Sequence, residues 1–465
     1  NWADGLKNLR LYKTVNYRTP PITSAQDIFN VGDLIRVVQD GEEGLRLAQL
    51  PEVQSALVAL DPHSGAIKTL VGGFDYRQSR FNRVTQALRQ PGSNFKPFIY
   101  ATALNNGFTA ASLINDAPVV FDDIKLEETW RPENDGGKFY GPTRLREGLY
   151  RSQNLVSVRL LRRMGIDRTL ESLQSFGFDT SDMQPDLSLA LGSHALTPLQ
   201  IATGYAIFAN NGFRVAPYIL DKVVDRDGNI IFQASPEVAC DPCKASTDIA
   251  SNADGTSSSS ADVEQQLEKM FGDLSQVSAD QGDKYSWDKV KQSLKTLPLP
   301  IVRPAARVID PQTSFLIDSM LKDVILRGTG VKAKKLNRAD IGGKTGTTNG
   351  PRDAWFSGYS PHLVATAWVG FDDNAMIGRN EYGGSAALPI WIEFMQSALA
   401  GKPQLIRPQP NEIVMVKIDP KTGTRVAPNQ PGVFEYFKTG TVPAAPGNSI
   451  NGTEVDQNSM PDDIF

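Results

Sequence analysis

The pattern of hydrophobic and polar positions is clearest over residues 53–73, where two β-rich, mainly apolar runs flank a polar Asp-Pro-His-Ser-Gly turn at 61–65. This pattern predicts a β-hairpin. His63 falls in the turn, so we expect a solvated turn residue and not a catalyst. Upstream, residues 1–50 hold short β-like runs such as 32–38, separated by proline-rich and acidic loops.

After residue 93 the spacing of apolar residues becomes helical for about 110 residues, most clearly at 153–163 and 198–210. Another amphipathic helix is predicted after Val308, ending near Gly328. Further strand-like runs occupy residues 218–224, 230–232, 342–348, 354–359 and 363–371. Helices and strands mixed in this way predict an α/β (α+β) fold.

At 465 residues the chain is too long for one compact core, and we expect two or three folded units. A serine-rich stretch poor in aromatic residues begins at about residue 236, and residues after about 444 are polar and acidic without periodicity. The predicted division is a β-rich segment or linker at 1–50, a main domain in two parts at 51–235 and 305–440, a polar, partly mobile insertion at 236–304 and a flexible tail at 441–465.

The composition is that of a globular protein, with 40% hydrophobic and 22% charged residues, and the net charge of −4 gives no reason to expect nucleic acid as a partner. Three histidines leave little for a metal site, and no cofactor is expected. For Cys240 and Cys243, a local disulfide or two free thiols fit better than a metal. No run approaches the ~18 apolar residues of a membrane span. Because the chain opens at Asn1, we expect a segment of a longer protein.

Ser93 and Lys96 lie three residues apart, just after a Pro-Gly break and just before an apolar run at 99–104. If a helix begins near Ser93, the two side chains share one face and the amine can reach the hydroxyl. A helix N-terminus also disfavours a charged lysine and favours an anion forming beside the serine. This arrangement suits a serine nucleophile with a lysine base.

Ser152 and Asn154 stand at the start of another helical run. A hydroxyl and a carboxamide two residues apart can face one cavity, where the hydroxyl passes a proton and the amide holds a substrate peptide group. The alternative is that Ser152 is only a helix N-cap.

A Lys-Thr-Gly-Thr stretch, Lys344 to Thr347, follows two glycines and precedes two clear strands. Lining a cleft, such a strand offers a fixed positive charge, two hydroxyls and exposed backbone groups, which can hold an extended peptide and its terminal carboxylate. Gly346 is predicted to let the substrate approach the backbone closely.

Each motif also occurs where its flanks do not suit the role. These copies are Ser286/Lys289, Ser319/Lys322, Ser449/Asn451 and the Lys-Thr-Gly-Thr stretches at 421–424 and 438–441. We expect the two serine–lysine pairs to be ordinary surface residues and 421–424 to be a hairpin tip. Because each motif is weak alone, the prediction depends on their order, their flanks and their spacing: Ser152 follows Ser93 by 59 residues and Lys344 follows Ser152 by 192.

Together, Ser-Asn-Phe-Lys at 93–96, Ser-Gln-Asn at 152–154 and Lys-Thr-Gly-Thr-Thr at 344–348 resemble the motif set of penicillin-binding proteins and serine β-lactamases. The flanks RQPGSNFKPF and KTGTTNGPRDAWFSGYSP resemble the transpeptidase portion of class A penicillin-binding proteins, closest to the type 1a branch. The resemblance covers roughly 30–235 and 305–400. It implies a β-lactamase/transpeptidase-like fold: a central antiparallel sheet packed by helices, an all-helical subdomain and a small β-rich N-terminal segment.

Position by position, the resemblance implies that Ser93 is acylated and that Lys96 takes its proton. Ser152 would relay a proton to the leaving amine, Asn154 would bind the substrate amide and Lys344 would lower the basicity of the first lysine. The remaining implied contacts are the side chains of Thr345 and Thr347 for the substrate carboxylate and the backbone N–H groups of Ser93 and Thr347 for the oxyanion. Tyr382, in the stretch EYGGSAALPIW, is a candidate for an aromatic wall, with surface packing as the alternative.

The implied reaction is attack on the penultimate D-Ala carbonyl of a peptidoglycan stem peptide, release of the terminal D-Ala and transfer to an amine of a neighbouring stem. β-Lactams resemble the D-Ala-D-Ala end and trap the acyl-enzyme. The implied partners are therefore stem peptides and β-lactams, on the periplasmic side of the inner membrane in a bacterial cell envelope. Class A members also carry a membrane helix and a glycosyltransferase domain. Neither appears in this sequence, so we expect a membrane-anchored parent protein.

Two other functions of the same motifs stay open at this point. A serine β-lactamase needs a second base, but no Glu-x-x-x-Asn loop lies between Ser152 and Lys344, where the stretch Glu-Ser-Leu-Gln-Ser at 171–175 does not fit. The length of the chain also argues against this function. A non-catalytic penicillin-recognising sensor would keep Ser93 and Lys96, so the sequence does not separate it from an enzyme. A globular adhesion or scaffold protein with chance motifs is the remaining alternative.

Overall fold

A computed structural model of the chain describes residue 6 and residues 9–40, 44–123, 128–240 and 303–444. Most of the predicted insertion at 236–304 and nearly all of the predicted tail at 441–465 lie outside the described residues. So do Cys243 and the motif copies Ser286/Lys289 and Ser449/Asn451. Cys240 is described and is disulfide-bonded, which excludes a free thiol at this position.

The α-helices of the described residues are α1 (Lys96–Asn105), α2 (Leu145–Tyr150), α3 (Asn154–Met164), α4 (Ile166–Ser175), α5 (Pro198–Ala209), α6 (Pro311–Arg327) and α7 (Leu388–Ala398). The strands are β1 (Tyr12–Thr14), β2 (Tyr17–Arg18), β3 (Arg36–Asp40), β4 (Gly44–Ala48), β5 (Gln54–Leu60), β6 (Ile67–Val71), β7 (Leu113–Asp116), β8 (Phe121–Asp123), β9 (Glu128–Trp130), β10 (Gly141–Arg144), β11 (Phe213–Arg214), β12 (Lys222–Val224), β13 (Ile230–Gln233), β14 (Glu237–Val238), β15 (Arg303–Pro304), β16 (Ala306–Arg307), β17 (Gly342–Thr347), β18 (Asp353–Ser360), β19 (Leu363–Gly370), β20 (Ile413–Ile418) and β21 (Val433–Lys438).

A five-stranded antiparallel sheet lies at the centre, in the order β17–β18–β19–β5–β6. Successive side chains of its strands point to opposite faces. On one face Trp355 and Trp368 join the core formed with α1, α5 and α6. On the other face Phe356 packs against Trp391 of α7. Because both faces are covered, β18 and β19 are buried along their whole length, and the predicted sheet packed by helices is confirmed.

The helical subdomain is built on α1, which is buried on all sides from Lys96 to Leu104. Helices α2, α3, α4 and α6 all contact α1, and α6 also contacts strand β17. Ser152 lies in the turn between α2 and α3, and its carbonyl contacts Lys96 at the buried start of α1. The β20–β21 hairpin is attached at the α6 side of this assembly.

The predicted hairpins and sheet strands form within a few residues of their expected bounds, and His63 is exposed in the turn between β5 and β6. The prediction of continuous helix after residue 93 is wrong between α1 and α2, where the chain forms β7 to β10. Two causes explain the difference. Pro118, Pro132 and Pro142 interrupt any helix there, and the β7–β10 ladder satisfies the backbone groups instead.

Candidate active site

Ser93 lies in a 3₁₀ turn, Gly92–Phe95, that continues directly into α1. The predicted helix start is therefore confirmed, with a tighter first turn than an α-helix. Gly92 has φ +55°, and a Cβ on it would come within 2.5 Å of Thr347 O. Glycine is required here because the backbone turns left-handed while touching the end of β17. The serine turn and the Lys-Thr-Gly-Thr strand are thus in direct contact.

Asn94 fastens the same two segments together. Its Nδ2 donates a hydrogen bond to Lys344 O at 2.7 Å, and Tyr205 donates to Asn94 O at 2.7 Å. A Cβ on Gly346 would come within 2.7 Å of Asn94 Cβ. The close approach that we predicted for a substrate at Gly346 is therefore made, on the Cβ side, by the protein's own serine turn. The glycine lets β17 lie flat against it.

Ser152 joins the second motif to both lysines. Its hydroxyl accepts a hydrogen bond from Lys344 Nζ at 2.7 Å, and its carbonyl accepts one from Lys96 Nζ at 2.7 Å. The interpretation of Ser152 as a helix N-cap is wrong, because the N-cap of α3 is Gln153. Ser152 has φ +61°, a left-handed conformation that is unfavourable for a residue with a side chain and that surrounding contacts must maintain.

The amine of Lys96 is fully buried and donates three hydrogen bonds. The acceptors are Ser152 O at 2.7 Å, Gln153 O at 3.1 Å and Asn154 Oδ1 at 2.7 Å. Among the described residues, no hydrogen bond joins this amine to the Ser93 hydroxyl. Three acceptors match the three N–H groups of an ammonium, so one contact must be released when the amine loses a proton.

Burial lowers the pKa of Lys96 well below its usual range, and the charge of Lys344 lowers it further. Asp135 and Asp116 act in the opposite direction on the same pKa. Burial also lowers the pKa of Lys344 to about 7. A lowered pKa makes the neutral form of a buried amine more accessible, and a general base needs that form.

The hydroxyls of the Lys-Thr-Gly-Thr strand are held by neighbouring loops. Thr345 Oγ1 lies 2.6 Å from Thr329 Oγ1, and Thr347 Oγ1 accepts a hydrogen bond from Gly383 N at 3.1 Å. Tyr382 precedes this glycine in the chain and is partly exposed. Its position is therefore beside the end of β17, and its role as an aromatic wall stays a prediction.

The described copies of the motifs have structural surroundings instead. The Ser319 hydroxyl accepts a hydrogen bond from Arg146, and Lys322 pairs with a carboxylate one turn away. We had predicted that both are ordinary surface residues. Both are instead half-buried. The Lys-Thr-Gly-Thr copy at 421–424 lies in the loop that joins β20 and β21, and the copy at 438–441 lies at the end of β21.

Two site residues had no motif to reveal them. Asp116, at the end of β7, accepts a hydrogen bond from Gln153 Nε2, and Asn134 accepts one from the backbone N–H of Asn154. Both lie in the region after residue 93 that was predicted to be helical, and neither belongs to a motif. Only the fold brings them beneath the Ser-Gln-Asn turn.

Comparison with known families agrees with this geometry. Residues 55–296 match the penicillin binding protein transpeptidase domain, more than half of the chain. The chain belongs to the penicillin-binding protein transpeptidase family. Residues 2–53 match the penicillin-binding protein OB-like domain.

Curated relatives extend the similarity over nearly the whole chain, including β17. The chain is 43% identical over 475 residues to penicillin-binding protein 1A of Pseudomonas aeruginosa, covering 99% of the chain and 55% of the relative. It is 38% identical over 487 residues to penicillin-binding protein 1A of Escherichia coli K12, covering 99% of the chain and 56% of the relative. These matches confirm the predicted type 1a branch. The chain spans about half the length of these relatives.

Solved structures give the same fold. The crystal structure of penicillin-binding protein 1A from Haemophilus influenzae superposes with a TM-score of 0.74 at 38% identity, covering 89% of this chain and 57% of that one. The penicillin-binding protein PonA1 from Mycobacterium tuberculosis matches with a TM-score of 0.56 at 21% identity, which shows the fold alone. None of the helices in the described ranges has the length and apolar character that a membrane span needs.

Proposed function

We propose that the chain is the D,D-transpeptidase portion of a longer penicillin-binding protein and that it cross-links peptidoglycan stem peptides through an acyl-enzyme on Ser93. The observation that carries the proposal is the meeting of three distant motifs. Lys344 bonds the hydroxyl of Ser152, Lys96 bonds its carbonyl, and Asn94 joins the serine turn to β17. The family match and the similarity to penicillin-binding protein 1A support the same activity.

In the acylation step, the Ser93 hydroxyl attacks the carbonyl of the penultimate D-Ala while Lys96 takes its proton. The lowered pKa of Lys96 supports this role, since a neutral amine has a lone pair for the proton. Deprotonation removes one of the three N–H donors from the Ser152, Gln153 and Asn154 oxygens. The lone pair can then turn toward the serine, which stands one helical turn earlier.

Collapse of the tetrahedral intermediate needs a proton for the departing amine. Ser152 would supply it, and the hydrogen bonds of its hydroxyl with Lys344 and of its carbonyl with Lys96 support this role. Lys344, which donates to the Ser152 hydroxyl, would replace that proton and become neutral, while Lys96, protonated in the acylation step, keeps one positive charge at the cleft. Asn154 already bonds the base through Oδ1, and its role toward the substrate amide stays part of this proposal.

The developing oxyanion is assigned to the backbone N–H groups of Ser93 and Thr347, a contribution of about 3–4 kcal/mol per donor. The contact between Gly92 and the carbonyl of Thr347 supports this assignment, because it places the two segments side by side. The hydroxyls of Thr345 and Thr347 would hold the substrate carboxylate, and Tyr382 would form a wall beside it.

The acceptor in the second step is an amine of a neighbouring stem peptide, and β-lactams stop the cycle at the acyl-enzyme. We place the activity on the periplasmic side of the inner membrane, in a membrane-anchored parent that also carries a glycosyltransferase domain. The curated relatives, about twice as long as this chain, support a longer parent. A hydrolytic β-lactamase is not favoured, because residues 171–175, the candidate second-base stretch after Ser152, form the end of helix α4.

Covalent labelling with a fluorescent penicillin tests the proposal. Ser93→Ala is expected to abolish the label, and mass spectrometry of the wild-type protein is expected to find the acyl group on the peptide that contains Ser93. Ser319→Ala and Ser286→Ala are matched controls, since each removes the serine of another Ser-x-x-Lys pair, and both should label normally. Labelling that persists in Ser93→Ala would overturn the assignment.

Turnover separates the three functions that share the motifs. A transpeptidase releases D-Ala from a stem peptide and frees a bound β-lactam slowly. Fast release of hydrolysed β-lactam would instead indicate a β-lactamase, and slow release without D-Ala would indicate a sensor.

A further inference from the structure

Asp116 is a buried carboxylate outside all three motifs. It is completely shielded from solvent at the end of β7. Its Oδ1 accepts a hydrogen bond from Asn134 Nδ2 at 2.7 Å, and its Oδ2 accepts from Gln153 Nε2 at 2.7 Å and from Tyr140 N at 3.0 Å. All three of these donors are uncharged. A buried carboxylate held in this way needs its hydrogen bonds intact, because burial penalises its charge.

Two of these donors lead directly to the turn at 152–154. Gln153 is bound through its side chain, while its carbonyl accepts from the Lys96 amine. Asn134 is bound through Nδ2, while its Oδ1 accepts from the backbone N–H groups of Asn154 at 2.7 Å and Leu155 at 3.3 Å. Asn134 thereby caps α3, whose N-cap residue makes no side-chain cap of its own.

The turn needs such support because Ser152 holds a left-handed backbone. In that conformation its carbonyl faces Lys96 and its hydroxyl faces Lys344. We infer that Asp116 is a positioning residue for the reaction: through Gln153 and Asn134 it holds the 152–154 turn so that three of its oxygens meet the Lys96 amine. The inference rests on the proposed function, since it concerns the base of that reaction.

The charge of Asp116 also acts on Lys96. The charged groups that face this amine are Lys344 from β17, Asp116 from β7 and Asp135 from the loop after β9. The first lowers the pKa of Lys96 and the two carboxylates raise it. Without Asp116, the pKa of Lys96 falls further, so the neutral base persists to lower pH. A residue that only stabilised the fold would leave this titration unmoved.

Asp116→Asn tests both the support of the turn and the effect of the charge on Lys96. It keeps the shape of the side chain but removes the charge and sets an amide against the N–H donors that Asp116 binds. The rate constant for acylation by penicillin, measured by stopped flow from pH 5 to pH 9, is expected to fall about 10–100-fold at its plateau because the turn is misplaced. The acid limb of the same profile should move to lower pH. Asp340→Asn is the matched control: that carboxylate is equally buried, pairs with Arg338 and is absent from the groups that act on Lys96.

The double variant Asp116→Asn/Gln153→Glu restores a donor–acceptor pair between the two positions and returns one negative charge. Its plateau acylation rate should be at least tenfold higher than that of Asp116→Asn alone, and its acid limb should return toward the wild-type pH. If Asp116→Asn does not fold, Gln153→Met replaces it, because this change removes one link and leaves the carboxylate charged. The expected result is then a rate loss of about tenfold with an unmoved acid limb.

A rate and an acid limb within error of wild type in a folded Asp116→Asn protein would overturn the inference. So would an equal rate loss in Asp340→Asn, which would mean that any buried carboxylate matters as much. Failure of the proposed function looks different, because wild-type protein would then not be acylated at Ser93 at all.

Discussion

Two groups of buried cations among the described residues have opposite kinds of partner. In the lysine pair, Lys96 and Lys344, the hydrogen-bond acceptors of the amines within the described part of the chain are all neutral oxygens, of the 152–154 turn and of Thr345. In the arginine network, Arg144 and Arg146 of β10 and α2 meet the carboxylates of Glu435, Asp323 and Glu147. The two lysines and the two arginines are all almost fully shielded from water.

The pKa of Arg146 and those of Lys96 and Lys344 are shifted in opposite directions, because their bonded partners differ in charge. Burial opposes the charge on Arg146, but Glu435 and Asp323 outweigh it and raise the pKa of its guanidinium. Burial acts on the pKa of Lys96 and Lys344 without a directly bonded carboxylate, and both values fall. The network therefore fixes a charge and ties the β20–β21 hairpin to α2 and α6, while the lysine pair leaves protons free to move.

The largest expected effect comes from replacing the buried lysine Lys96 with an arginine, which keeps its proton as the buried arginines do. Lys96→Arg keeps a cation and its N–H donors, but a guanidinium does not release its proton in a protein. Acylation by a fluorescent penicillin should fall about 10²–10⁴-fold, the usual contribution of a positioned base. Rates are measured at pH 7.5 together with the thermal midpoint, to confirm folding.

Lys322→Arg is the matched control, because Lys322 has the same spacing from a serine but pairs with Asp318. It should be acylated at the wild-type rate. A folded Lys96→Arg protein that acylates as fast as wild type would remove Lys96 from the role of base.

The second-largest expected effect is a loss of folding stability when the arginine network is broken. Glu435→Gln keeps the shape of the side chain but leaves Arg144 and Arg146 short of a buried counter-charge. The free energy of unfolding in urea should fall by about 3–5 kcal/mol. The acylation rate of the folded protein should change less than about threefold, or ~0.6 kcal/mol.

Glu237→Gln provides the comparison for that experiment, since its ion pair with Arg303 is exposed and should contribute no more than ~1 kcal/mol. Equal losses in the two variants would show that burial does not distinguish the network from a surface pair.

The smallest expected effect is a dependence of folding stability on pH, which the lysine pair should cause and the arginine network should not. Folded Lys344 loses its proton at a pKa of about 7, whereas an unfolded lysine keeps it to about 10.4. Between these values the unfolded chain binds more protons, so stability rises with pH and the contribution is lost below about pH 7. Urea denaturation at pH 7, 8 and 9 should show this rise in wild type and a weaker one in Lys344→Met.

Lys421→Met, an exposed lysine in a copy of the same motif, should keep the wild-type slope. The arginine network adds no slope in this window, because a guanidinium stays charged in both states. Parallel pH profiles for wild type and Lys344→Met would contradict the assigned titration of Lys344.

Much of the sheet was predictable because local patterns agree with the final environment. The turn between β5 and β6, and the runs that became β17 to β19, carry their own turn chemistry and strand propensity. The strands between residues 106 and 144 were not predictable. Strands β7 and β10 pair across more than 20 residues, and neither is periodic enough to be recognised alone.

The motif residues could also be found in the sequence, but their partners could not. Lys96 was predicted beside Ser93, and the amine instead bonds the turn at 152–154. Helix geometry limits which face a side chain occupies. It does not decide which of the acceptors from other segments the amine will meet.

By itself, the sequence determined the local chemistry: a serine at a helix start, a lysine one turn on, a glycine-bearing strand and the turns between strands. Tertiary structure decided which groups share a dry space. Asp116, Asn134 and Glu435 look like ordinary polar residues in the chain, and only burial makes their charges and hydrogen bonds strong. The reason is physical, because the energy of a charge depends on the dielectric and on the partners around it, and distant segments supply both.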